Sequence, residues 1–134
     1  MSNFCKMVLL IDDNYIDNIL NTKILELTNF ADRIISIQDT SEALEYLKLE
    51  YDLNKKVPDY IFLDIRMPII DGFAFLDAFE DFNEGLKNKT QIIMLTSSLA
   101  REDESRALLN KHVKCFLKKP LAFDAVESLK VQFA

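Results

Sequence analysis

The sequence predicts an α/β domain built on a parallel sheet with helices on both faces. Short apolar runs recur along the chain: MVLLI, RIISI, YIFL, QIIML and VKCFL. Longer amphipathic stretches with helical spacing separate them. Most of the runs are apolar throughout instead of alternating with polar residues, the pattern of strands covered on both sides.

Each element can be justified in turn. Met7–Ile11 is the first predicted strand. In the following DDNYIDNILNTKILELTN, Ile16, Ile19, Leu20, Ile24 and Leu27 recur at helical spacing and are expected to face the core, with Asn29 closing the helix. Arg33–Ile37 is the second strand. Thr40 or Ser41 is expected to cap a helix that turns Ala43, Leu44 and Leu47 inward; Gln38 and Asp39 receive no role. After the polar loop LNKKVPD comes the third strand, Tyr60–Asp64. FAFLDAFEDF reads as a helix apolar around most of its surface, and NEGLKNKT as a polar loop. Gln91–Leu95 is the fourth strand, and AREDESRALLNKH the next helix, with Ala107, Leu108 and Leu109 inward. Val113–Leu117 is the fifth strand. The last helix, in KKPLAFDAVESLKVQF, is expected to bury Phe123, Val126, Leu129 and Phe133.

The chain has 134 residues, and the expectation is one domain over 1–134 with no output domain. Its 49% hydrophobic and 28% charged residues are those of an ordinary globular protein. The net charge of −6 argues against direct nucleic-acid binding and against adhesion to anionic membranes. No apolar stretch approaches the ~20 residues a membrane helix needs, and the chain is read as cytoplasmic. Cys5 and Cys115 each lie beside strand-like sequence and read as small packed hydrophobes, not as a disulfide or a nucleophile. The single histidine, His112, cannot build a histidine metal site.

In open parallel sheets, ligands bind at the carboxyl ends of the strands. The residues there are Asp12 and Asp13 after the first strand, Asp64 at the end of the third, Thr96, Ser97 and Ser98 after the fourth, and Lys118, Lys119 and Pro120 after the fifth. Each alone is an ordinary helix cap or turn former. Together they are more specific. Three carboxylates meeting at one edge repel, and a hard divalent cation relieves them; Mg²⁺ suits one or two carboxylates together with phosphate oxygens. Lys119 adds a charge for a bound anion, and Thr96 a hydroxyl. A carboxylate nucleophile, a cation, a lysine and a hydroxyl are the parts an aspartyl phosphate needs.

In VLLIDDN, FLDIRMPIIDG, MLTSS and FLKKP, the chain resembles the receiver domain of two-component response regulators, over nearly its whole length. The resemblance implies a flavodoxin-like (βα)5 fold with strand order 2-1-3-4-5. It implies that Asp64 is the phosphoacceptor. Mg²⁺ would be held by Asp12, Asp13, Asp64 and the backbone carbonyl of Arg66, with Asp13 the direct ligand of the pair and Asp12 acting through water. Thr96 and Lys119 would contact the phosphoryl group, and Phe116 would be the switch aromatic. Arg66, Ser97 and Ser98 would tune phosphoryl lifetime, and the Lys119–Pro120 bond would be cis. The implied partners are a sensor histidine kinase or phosphotransfer protein as donor and an unidentified downstream protein as target, with no nucleic acid or membrane. The chain would be a monomer or a phosphorylation-dependent dimer, acting as a signalling phosphoacceptor and not as an enzyme. The output face would comprise the helix in AREDESRALLNKH, the fifth strand and the last helix.

Three other readings weigh against this one. A phosphatase of the haloacid-dehalogenase type needs a second aspartate two residues after the nucleophile, where Arg66 stands. A flavin carrier needs a phosphate cradle after the first strand, where DDNYIDN would repel phosphate. A receiver-like binding module that is never phosphorylated remains as the alternative, against the intact acids, hydroxyl and lysine.

Overall fold

The computed structural model describes residues 3–65, 71–96 and 101–134, with the backbone alone for 101–104. Five strands, β1 (Cys5–Ile11), β2 (Ala31–Ile37), β3 (Tyr60–Asp64), β4 (Gln91–Thr96) and β5 (Val113–Lys118), form one sheet in the order β2-β1-β3-β4-β5. Every neighbouring pair is parallel. The strand positions agree with the sequence reading; β1, β2, β4 and β5 run one or two residues longer.

Alternate residues of each strand feed two cores. Leu9, Ile11, Ile61, Leu63, Ile92 and Met94 face one side, with α2 (Thr40–Asn54), α3 (Gly72–Glu80) and α5 (Arg101–Leu108). Val8, Leu10, Phe62, Ile93 and Leu95 face the other, with α1 (Tyr15–Leu27) and α6 (Phe123–Gln132). The apolar runs are therefore continuous because both faces are covered. Among the described residues, no helix is long and apolar enough to cross a membrane.

Four expectations about the helices are corrected. On α1, Ile16, Ile19, Leu20 and Leu27 are exposed, while the buried residues are Asn18, Asn21 and Leu25. Two hydrogen bonds set that rotation. Asn18 Nδ2 donates to the Asp12 carbonyl at 2.7 Å, and Asn21 Oδ1 accepts from the Leu121 N–H at 3.0 Å. Buried backbone groups need such partners, and this requirement outweighed apolar periodicity. The NEGLKNKT segment contains a one-turn helix, α4 (Glu84–Lys87). Asn83 caps it, Leu86 is buried, and Lys87 pairs with Glu84 at 2.9 Å and Glu80 at 3.5 Å. Asp39, not Thr40 or Ser41, caps α2 by accepting from the Ser41 and Glu42 N–H groups. Leu108, Leu109 and Phe123 are exposed, because α5 ends at Leu108 and α6 begins at Phe123, leaving Ala107, Val126 and Leu129 to pack inward.

The amino-terminal end of the sheet is closed by aromatic rings. Phe30 meets Phe4, Tyr60 and Phe62 at centroid distances of 5.1 to 5.6 Å. The opposite, carboxyl end is polar, and it holds the site.

Candidate functional site at the carboxyl edge of the sheet

The strand order reverses between β1 and β3, and the acids lie at the end of those two strands. Asp12 is fully buried and Asp64 nearly so, while Asp13 is exposed. One oxygen from each of the three carboxylates can be chosen so that all lie within 4.8 Å of one another. Opposite ligands of an octahedral Mg²⁺ stand about 4.2 Å apart, so the set fits that ion with a small closure.

Backbone contacts fix each acid. The Asp12 N–H donates to the Ile37 carbonyl, tying it to β2, and Asp12 Oδ1 accepts from the Asn14 N–H at 2.9 Å. Asp64 is held in register with Leu95 of β4, and the next residue, Ile65, donates its N–H to the Leu95 carbonyl at 3.1 Å. Gly72, at the start of α3, lies close behind. A Cβ there would fall 2.7 Å from the Asp64 carbonyl oxygen and 2.9 Å from Ile65 Cα. The glycine is required by this close approach; its φ is not positive.

Lys119 supplies the positive charge. Its Nζ lies 2.9 Å from Asp12 Oδ2, 2.9 Å from Asp17 Oδ2 and 3.4 Å from Asp64 Oδ1. The side chain is only 9% exposed. Burial alone would disfavour the ammonium, but the hydrogen bonds to Asp12 and Asp17 and the attraction of Asp64 hold its pKa above the usual lysine value. The Lys119 N–H donates to the Thr96 carbonyl at 2.7 Å, and the Lys119–Pro120 peptide is cis. Thr96 is buried at the end of β4, beside this contact. Phe116 is half-buried and packs against the core on the α2–α5 side. Lys118 points to solvent.

The structure thus brings Asp12, Asp64, Lys119 and Thr96 to one edge and sets Asp13 at its rim. Arg66, Met67, Pro68, Ser97 and Ser98 lie outside the described residues. Two contributors were missed from sequence. Asp17, in the first turn of α1, meets Lys119 Nζ across 102 residues of chain, a contact that no local spacing shows. Gln38 Nε2 lies 3.4 Å from the Asp13 carbonyl, a contact that only strand order reveals.

The cysteines have no part in the site. Both are free and half-buried. Burial, reinforced by Asp59 and Asp32, pushes the Cys5 thiol up to about 12, and burial pushes Cys115 up to about 11. Both are therefore protonated thiols at neutral pH. His112 rests edge-on against Phe79, with Nε2 3.1 Å from Glu80 Oε2.

A doubly wound five-stranded sheet with an acidic trio and a lysine at its carboxyl edge defines a flavodoxin-like fold with a charged site at its topological switch point. The chain belongs to the response regulator receiver domain family, whose sequence profile matches residues 8–129. It is 32% identical over 116 residues to the chemotaxis protein CheY of Halobacterium salinarum, a match covering 86% of this chain and 85% of that one. The crystal structure of a two component response regulator from Cytophaga hutchinsonii superposes with a TM-score of 0.87 at 34% identity, over 95% of both chains. The phosphorylated cyanobacterial phytochrome response regulator RcpA superposes with a TM-score of 0.74 at 25% identity, over 96% of this chain and 90% of that one. The family is one of signalling proteins, which generally bind Mg²⁺ at an acidic cluster and receive phosphoryl groups from histidine kinases.

Proposed function

We propose that Asp64 accepts a phosphoryl group from a phosphohistidine on a sensor kinase or phosphotransfer protein, and that the modified domain changes its affinity for a downstream protein. The observation that carries this reading is Lys119 Nζ, 3.4 Å from Asp64 Oδ1 within an edge lined by three convergent carboxylates. In the transfer, an Asp64 carboxylate oxygen attacks phosphorus in line. A P–O bond forms and the P–N bond to the donor imidazole breaks. The electron pair returns to the ring nitrogen.

Asp12, Asp13 and Asp64 are the residues that would hold Mg²⁺, together with the Arg66 carbonyl. The ion, when bound, neutralises charge on the transferring oxygens. Lys119 offsets the acceptor's charge and then meets the phosphoryl oxygens. Thr96 donates its hydroxyl to the phosphoryl group, and Phe116 turns further inward. That movement repacks the face formed by α5, β5 and α6, a two-state element biased by a local charge. The phosphorylated state of RcpA, a structural relative, supports the assignment of this chemistry to the fold. The exposed apolar face of α1, with Tyr15, Ile16, Ile19 and Leu20, lies beside the site and suits a docking donor.

Intact-protein mass after incubation with acetyl phosphate tests the reading. One phosphoryl group is expected in wild type with Mg²⁺, and none without the ion or in Asp64→Ala. No gain under any condition would favour a binding module that is never phosphorylated. Thr96→Ala is expected to keep the phosphorylation and lose its effect on partner binding; an undiminished effect would sever the proposed coupling.

A further inference from the structure

We infer that Asp17 is a positioning residue of the site: it tethers Lys119 to α1 and competes with the group on Asp64 for that ammonium. The inference rests on the proposed phosphorylation of Asp64.

An ammonium has three donors. On Lys119, two are engaged in 2.9 Å hydrogen bonds, to Asp12 and Asp17, and the third faces Asp64 at 3.4 Å. A phosphoryl group places a charge of roughly −1.5 to −2 and three acceptor oxygens where the carboxylate carried a single charge. The third donor can meet one of those oxygens, and a second bond to the phosphoryl group requires Lys119 to give up a partner. Asp12 is the costlier of the two to release, because its side chain is fully buried and out of reach of bulk solvent. Asp17 is 29% exposed, so solvent can take over its carboxylate when Lys119 leaves. Asp17 also lies outside the trio that would surround the cation.

Asp17 therefore has two effects of the same sign. It occupies a donor that a phosphoryl group needs, and it adds negative charge beside the place where an anion binds. Both oppose the phosphorylated state. Because Asp17 lies in the first turn of α1, release of Lys119 also frees that turn from the loop carrying Lys119 and Pro120.

The test is the affinity for beryllofluoride, a phosphoryl mimic, titrated calorimetrically at saturating Mg²⁺. Asp17→Asn keeps the shape of the side chain and removes its charge. It is expected to bind beryllofluoride at least about fivefold more tightly than wild type, the scale of a lost partly exposed charge-assisted contact. Asp17→Glu, which keeps the charge and can still reach Lys119, is expected to stay within about twofold of wild type. Glu42→Gln removes a charge from the start of α2 at the same sheet edge without touching Lys119, and is likewise expected to change little. In the metal-free protein, the Lys119 ammonium resonance should shift in Asp17→Asn and not in Glu42→Gln.

Tightening in Asp17→Asn cannot come from a damaged fold, which would weaken binding. Equal or weaker binding in Asp17→Asn overturns the inference, and so does equal tightening in Glu42→Gln, which would mark a bulk charge effect. If wild type itself fails to bind beryllofluoride, the proposed phosphorylation falls first and the tether falls with it.

Discussion

Gly72→Ala joins the packing behind the site to the chemistry in front of it. The added methyl would sit 2.7 Å from the Asp64 carbonyl oxygen and 2.9 Å from Ile65 Cα, where ordinary contact begins at 3.4 Å. The backbones must therefore part by 0.7 Å at the first atom and 0.5 Å at the second. Met94 Cε, at 3.2 Å, is the end of a flexible side chain and can yield. The backbone contacts cannot yield freely, because the Gly72 N–H is pinned to the Ile65 carbonyl at 2.9 Å. Overpacking of this kind costs about 1–3 kcal/mol, and alanine returns about 0.5–1 kcal/mol as the better helix former. The expected net loss is about 1–2 kcal/mol, a fall in Tm of about 4–8 °C for a domain of this size. The displaced carbonyl belongs to the proposed acceptor, so Asp64 should move by about half an ångström and the rate of phosphorylation should fall about tenfold, given how steeply rates depend on placement. Thermal melting by circular dichroism and the time course of intact mass with acetyl phosphate measure the two effects. Gly85→Ala is the control, since its methyl would first meet the Tyr51 hydroxyl, the tip of a rotatable side chain. An unchanged or raised Tm in Gly72→Ala would refute the close-approach argument, and a lost Tm with an unchanged rate would uncouple Gly72 from Asp64.

Individual side chains carry four more predictions. Lys119→Met leaves the buried Asp12 and Asp64 without their ammonium; the metal-free protein should lose about 3 kcal/mol, and Mg²⁺ should restore part of it, both read by urea unfolding. Asn21→Ala removes the acceptor of the buried Leu121 N–H; it should cost about 1–3 kcal/mol and speed hydrogen exchange at Leu121 above all other amides of α6 and its preceding loop. The raised thiols of Cys5 and Cys115 predict slow alkylation of the native protein at pH 8.5 and fast alkylation in urea. Their sign also predicts the alkaline limb of stability: the native state holds its thiol protons more tightly than the unfolded chain, so that stabilisation is complete below about pH 9 and is lost as pH rises through about 11 to 12. Replacing both with alanine should flatten that limb, and an unaltered slope would assign it to other groups.

The sequence alone was sufficient for the alternation of strands and helices, the parallel class of the sheet, and the acids, hydroxyl and lysine at the strand ends. These are local facts. A strand covered on both faces must be apolar without interruption, and a site at a sheet edge must be built from the residues that end the strands. Asp12, Asp64, Thr96 and Lys119 were legible for that reason. The rotation of α1 was not. Counting apolar residues predicted that Ile16, Ile19 and Leu20 face inward, but Asn18 and Asn21 are buried because the Asp12 carbonyl and the Leu121 N–H need partners there. Those partners are 6 and 100 residues away along the chain. The one-turn α4 was equally hidden, since four residues carry no periodicity and its stability comes from Leu86 and Lys87 packing against other elements. The role of Gly72 depends on how closely α3 approaches β3, and the role of Asp17 on where Lys119 Nζ comes to rest. Hydrophobic burial therefore determined the architecture from sequence, whereas the choice among polar partners waited for tertiary structure, because a hydrogen bond or ion pair depends on distances of a few ångströms that no spacing along the chain encodes.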